Sequence, residues 1–161
     1  MWSAKRRAAA AALPFAAPAL IASKARAATP LQGPASAAFH RFKLGGFEVT
    51  TLLAGTRTSD KPQETFGLNA TPEEFAAASA AAFIPADKTQ NFFTPTLVNT
   101  GSELVLFDTG LAPEGITAAL AAAGITPDLI DVVVLTHMHG DHIGGLMTNG
   151  TPTFANARYV T

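Results

Sequence analysis

This sequence predicts a mixed, layered α/β (α+β) fold, on three observations. Residues 104–107 and 132–135 are continuous apolar runs, the composition of strands covered on both faces. Between them lies a segment that opens on Pro113 and closes before Gly124, the punctuation of a helix. Strand, helix and strand follow one another with short connections, the order that builds stacked α and β layers. No internal repeat interrupts this order.

Residues 1–27 read as a secretory signal peptide rather than as part of the fold. Lys5, Arg6 and Arg7 form a basic start, an Ala-rich apolar stretch covers 8–22, and Ala25-Arg26-Ala27 is a small-x-small cleavage site. The Arg6-Arg7 pair suits the twin-arginine export route. Alanines follow it where that route favours bulky apolar residues, so an ordinary export signal explains the pair equally well. Pro14 and Pro18 interrupt the stretch, which falls short of the ~20 apolar residues of a membrane span. The expected location is periplasmic or secreted, with no stable membrane span. Without 1–27, six basic residues face twelve acidic ones, a formal charge of −6, and no basic cluster remains. That balance argues against a nucleic-acid partner. The remaining 134 residues suit one domain, and the absence of cysteine excludes disulfides and thiolate metal sites.

The elements follow in order. Residues 28–38 are a flexible lead-in rich in Ala, Thr, Pro, Gly and Ser. Residues 39–44 and 47–53 flank Gly45-Gly46 and predict a hairpin, since Gly-Gly supplies the positive φ of a two-residue turn. Residues 54–67 are polar and turn-rich, and read as a loop. Thr71 as N-cap, Pro72 at the first helical position and Glu74 completing a capping box open a helix that should run to about Phe83, before Pro85. Phe75 and Phe83 then share a face and are expected to pack in the core. Residues 92–99 and 103–108 form a second hairpin around Thr100-Gly101-Ser102, 113–123 a helix, 127–130 a short helical turn and 131–136 a buried strand.

Directly behind that strand come His137, His139, Asp141 and His142; three of the four histidines of the chain crowd into this loop. Imidazole and carboxylate are ligands of zinc and similar divalent ions. A lone histidine would read as solvated surface, but three with an aspartate at this spacing predict a metal site. Side chains alternate in extended chain, so His137 and His139 can point the same way and make half of a tetrahedral site. Asp141 and His142 are adjacent, should diverge from that pair, and could serve a second ion ~3.5–4 Å away. Gly140 lets the loop turn, and Gly144-Gly145 permits close backbone approach around the ions. Asp108, at the end of the 104–107 run, is either a carboxylate that steadies the metal loop from behind or a turn aspartate bonded to nearby amides, and the two roles can coexist. His40 is read as a surface or packing histidine.

The run His137-Met138-His139-Gly140-Asp141-His142 resembles the His-x-His-x-Asp-His motif of the metallo-β-lactamase superfamily, and Asp108-Thr109-Gly110 is similar to a second landmark of that family. The resemblance covers 39–161. Within it, 39–50, 97–102 and 136–146 look most like the exported methyl-parathion-hydrolase and lactonase-like branch. The resemblance implies an αββα sandwich of which 39–161 would be the N-terminal half, incomplete at its C-terminus. It implies that His137 and His139 bind one metal and Asp141 and His142 the other, the ions being two Zn²⁺ or zinc with another divalent ion. The family's third histidine, bridging aspartate and last histidine have no match, because no histidine follows His142 and no acid follows Asp141. It further implies hydrolysis of a small-molecule lactone, ester or phosphotriester by a metal-bound hydroxide, with Asp141 also moving protons. The isolated chain is then expected to be inactive, with an uncovered apolar face that favours misfolding or a homo-oligomer. Two other readings are a non-catalytic metal-binding remnant and an iron-dependent oxidoreductase of the same fold.

Overall fold

The computed structural model describes residues 36–161. The expected signal peptide, 1–27, and most of the expected lead-in, 28–38, lie outside those residues. β1 (Phe39–Leu44) and β2 (Phe47–Leu52) form the predicted antiparallel hairpin, with Leu44 opposite Phe47 and Gly45 at φ +60°. His40 lies on β1, exposed and stacked on Phe42.

The expected loop at 54–67 is instead largely structured. β3 (Gly55–Asp60) pairs antiparallel with β4 (Lys88–Phe93), and α1 (Gln63–Phe66) follows it. Gly-Thr-Arg-Thr-Ser-Asp carries no apolar alternation, so only its partner strand makes it a strand.

α2 (Pro72–Ala81) has the predicted capping box: the Glu74 N–H donates to Thr71 Oγ1 at 3.2 Å, and the Thr71 N–H donates to Glu74 Oε2 at 2.9 Å. The helix stops short of Phe83, which takes φ +58° and is 96 % exposed. The expected packing of Phe83 in the core is therefore wrong, because the left-handed backbone carries its ring off the helix face. Phe75 is half-buried; its ring lies 2.5 Å from where a Cβ on Gly67 would sit.

The second hairpin is shorter than expected. It joins β5 (Thr96–Asn99) to β6 (Leu104–Phe107), whereas Phe92 and Phe93 belong to β4. Thr94-Pro95 divides the two strands, since proline has no N–H for a ladder. α3 (Pro113–Ala122), a 3₁₀ turn at Pro127–Leu129 and β7 (Val132–Val134) follow as predicted, with Gly124 at φ +78° closing the helix. α4 (Gly140–Ile143), the small hairpin of β8 (Met147–Thr148) and β9 (Thr151–Pro152), and β10 (Arg158–Val160) complete the chain.

The main sheet has six strands in the order β1-β2-β5-β6-β7-β10, antiparallel as far as β6 and parallel from β6 to β10. Leu97, Leu106 and Val133 stand side by side in register and are fully or almost fully buried with Ile116 and Leu120 of α3 and with Phe154. Each such side chain contributes about 1.5–3 kcal/mol by leaving water. Gly115 brings α3 against the chain leaving β2: a Cβ there would lie 1.8 Å from the Ala54 carbonyl oxygen. Arg41 donates from Nη2 to the Ala123 carbonyl oxygen at 2.8 Å, fastening β1 to the end of the same helix. The histidine loop thus leaves the C-terminal end of a strand held on both sides by neighbours.

Candidate metal centre

The site is built where β6 and β7 end side by side. Asp108 follows β6 and adopts φ +62°, a left-handed conformation that aspartate tolerates better than most residues. Its own N–H donates to the Val134 carbonyl oxygen at 2.9 Å, which binds the two strand ends together. The bend turns the Asp108 carboxylate towards the loop after β7. Oδ1 accepts the Thr136 N–H at 2.9 Å, Oδ2 accepts the Thr136 hydroxyl at 2.9 Å, and Oδ2 lies 2.8 Å from His142 Nδ1. Burial works to raise the Asp108 pKa, but the hydrogen bonds from Thr136 and His142 outweigh it and hold the carboxyl below its ordinary range. An ionised carboxylate only accepts, so His142 Nδ1 carries the proton and donates it, which leaves the Nε2 lone pair free in the neutral ring.

Thr109 does as much, and sequence reasoning missed it. This fully buried residue donates from its backbone N–H to the His142 carbonyl oxygen at 2.8 Å and from Oγ1 to the same oxygen at 2.9 Å, while Oγ1 accepts the Gly145 N–H at 3.1 Å. No local pattern marks a threonine as a clamp; its only signal was its place in Asp108-Thr109-Gly110. The close approach allowed by Gly144 and Gly145 is to this same turn and not to the site interior. Their Cβ positions would fall 2.1 Å from the Leu111 carbonyl oxygen and 2.3 Å from that of Thr109. Gly140 faces open space, so no contact requires it.

The structure brings the three predicted histidine rings together and sets Asp141 beside His142. His137 and His139 ring centroids are 4.6 Å apart, and the His142 ring lies 3.8 Å from that of His137. His142 therefore does not diverge from the first pair. The chain stops being extended at His139 and enters α4, whose turn swings His142 back over His137. His142 Nε2 and Asp141 Oδ2 lie 3.5 Å apart, too far for a good hydrogen bond. Two ligands about 2.0–2.1 Å from one tetrahedral ion are ~3.4 Å apart, so this spacing fits a shared cation. Among the described residues, no three His, Asp or Glu side chains form a group that could hold an ion on their own. The donor chemistry fits a divalent metal, while the number of converging donors does not complete a shell.

Beside the loop lies a cleft of about 910 Å³, lined by Asp108, Thr136, Asp141 and His142 on one side and by Arg57, Phe66, Phe92 and Phe93 on the other.

Residues 94–148 match the family model of the metallo-beta-lactamase superfamily. Those residues contain the Asp108 turn, α3 and the whole histidine loop. The family model thus supports the metallo-beta-lactamase superfamily for that stretch, and the solved neighbours share the fold. Ribonuclease Z of Pyrococcus furiosus is 45 % identical over 49 residues, 30 % of this chain and 15 % of that protein. AidC, a dizinc quorum-quenching lactonase solved with the product N-hexanoyl-L-homoserine, superposes at TM-score 0.68 with 26 % identity, over 75 % of this chain and 43 % of its own. The hydrolase AbOPH of the beta-lactamase superfamily superposes at TM-score 0.67 with 24 % identity, over 78 % and 45 %, a likeness of fold. The chain thus spans less than half the length of these relatives. The mixed α/β architecture matches that of these solved neighbours, and among the described residues no helix is long and apolar enough to cross a membrane.

Proposed function

We propose that this chain carries part of a two-metal hydrolytic centre, in which His137 and His139 hold one divalent ion and Asp141 and His142 the other. The observation that carries this is the 3.5 Å separation of His142 Nε2 and Asp141 Oδ2 while His142 Nδ1 is tied to Asp108. A metal-binding histidine typically gives its other N–H to a carboxylate, which fixes the ring and raises its basicity. The remaining ligands would come from outside residues 36–161.

Divalent ions held here would supply Lewis acidity and lower the pKa of a coordinated water to about 7. The side chains supply the rest. Asp108 keeps the His142 proton on Nδ1 and so keeps Nε2 available. Thr136 fills the remaining Asp108 lone pairs and stops the carboxylate from turning into the cleft. Asp141 is partly exposed and faces the cleft, where its free oxygen can accept a proton from substrate or water. The reading is a zinc-type hydrolase for lactones, esters or phosphotriesters, of the exported methyl-parathion-hydrolase and lactonase-like branch. The likeness to the dizinc lactonase AidC supports divalent metal use and, within this range, a lactone. The test is to purify the full-length gene product without chelator and assay a lactone, a carboxylic ester and a phosphotriester, before and after EDTA. Turnover of at least one substrate that EDTA abolishes and zinc restores is expected. EDTA-resistant turnover would overturn the reading, and tightly held iron without hydrolysis would favour the oxidoreductase.

A further inference from the structure

The far wall of the cleft carries a charge that neither the metal loop nor the fold uses. Arg57 lies on β3 directly opposite Asn91 of β4, and both side chains line the cleft that Asp141 and His142 line from the other side. Arg57 is the one lysine or arginine in that lining. Of the three arginines among the described residues, Arg41 pairs with Glu48 and Arg158 with Glu103, but Arg57 has no carboxylate partner and no side-chain hydrogen bond there. Its guanidinium instead sits 5.8 Å from the centre of the Phe93 ring, a cation–π contact that holds the stem without consuming the N–H donors. Neighbouring Gln90 has its Oε1 held by the Thr58 hydroxyl, whereas the side chains of Arg57 and Asn91 make no hydrogen bond among the described residues. A guanidinium fork beside a carboxamide suits an oxygen anion, and the exposed Phe66 and Phe92 add apolar surface to the lining of the same cleft.

We propose that Arg57 and Asn91 form an anion subsite across the cleft from the metal loop, recognising the carboxylate or phosphoryl oxygens of an aryl or similarly apolar substrate. This rests on the hydrolase reading only for calling the ligand a substrate; the subsite itself needs no metal. Its residues lie on β3, which the sequence pattern reads as loop, and on β4, of which that pattern assigns only Phe92 and Phe93, to the second hairpin.

The test is calorimetric titration of the full chain with benzoate, phenyl phosphate and neutral benzamide, in EDTA and again with zinc. Benzoate or phenyl phosphate should bind in EDTA, with benzamide at least about tenfold weaker, as expected of a charge-assisted bond. Arg57→Gln should weaken the anion by about tenfold or more, while Arg57→Lys, which keeps the charge but not the fork, should keep part of it. Arg57 is exposed, so circular dichroism should show both variants folded. Whichever anion binds tighter identifies the oxygen group. Equal binding of benzamide, or anion binding unchanged in Arg57→Gln, would overturn the subsite. Anion binding seen only with zinc would also overturn it, by moving the anion to the metal loop and leaving the metal reading intact. Anion binding in EDTA with no uptake of zinc would support the subsite while the metal reading failed.

Discussion

Asp108 and Thr109 set the position of His142 from two directions, one through its ring and one through its backbone. Asp108→Asn keeps the shape but loses the charge that fixes the Nδ1 proton, and zinc affinity should fall about 10- to 100-fold, read by competition with a chromophoric chelator. The same change should alter the acid limb of stability. The lowered Asp108 pKa means that its contribution is present above the ordinary carboxylate range and is lost as pH falls through the lowered value. Urea midpoints measured against pH should therefore fall less steeply in acid for Asp108→Asn than for the wild type. Thr109→Val leaves the Gly145 N–H without its acceptor in a buried position, and should destabilise by about 1–3 kcal/mol in the same denaturation experiment. The histidines and aspartate were legible because their chemistry is unusual at that spacing. Thr109 was not, because a threonine becomes a clamp only once two distant segments meet.

Among the elements, α2 shows what local chemistry determines. Thr71, Pro72 and Glu74 state the helix start outright, and the structure places both reciprocal hydrogen bonds there. Thr71→Ala should cost about 1 kcal/mol and speed amide exchange in the first turn of α2. Its C-terminal end was misread, because alanines carry the helical pattern past Ala81 while the backbone of Phe83 turns left-handed. β3 was illegible for a related reason. Its glycine and five polar residues pair with β4 across an insertion containing two helices, and such pairing is a property of the partner rather than of the run. The Asn149-Gly150 turn between β8 and β9, with φ of +50° and +84°, was by contrast readable from its dipeptide and was overlooked. The direction of His142 failed on secondary structure as well: alternation holds for extended chain, and α4 ends that alternation at Gly140.

For the whole molecule, the sheet and α3 hold the strand ends from which the loop hangs, so fold and site should fail separately. Gly115→Ala would drive a methyl into the Ala54 carbonyl and force α3 off the sheet, lowering the melting temperature of the whole domain. Leu120→Ala should cost about 2–5 kcal/mol through the cavity it leaves in the core. Neither residue touches the cleft. The layered α/β class was readable from two apolar runs and one punctuated helix, whereas the six-strand order needed contacts between distant segments. Among the described residues β10 has no partner on its outer side, and Tyr159 and Val160 are exposed there. Sedimentation should accordingly show association that grows with concentration, and a monomer at all concentrations would contradict this. The most direct test of the central claim is a zinc titration of the ¹⁵N-labelled full-length gene product, read at the histidine side-chain nitrogens. Zinc should shift His142 Nε2 and the rings of His137 and His139 while His142 Nδ1 stays protonated, and Asp141→Asn should weaken the His142 response. No shift at these nitrogens, or a His142 ring metallated through Nδ1, would contradict the account.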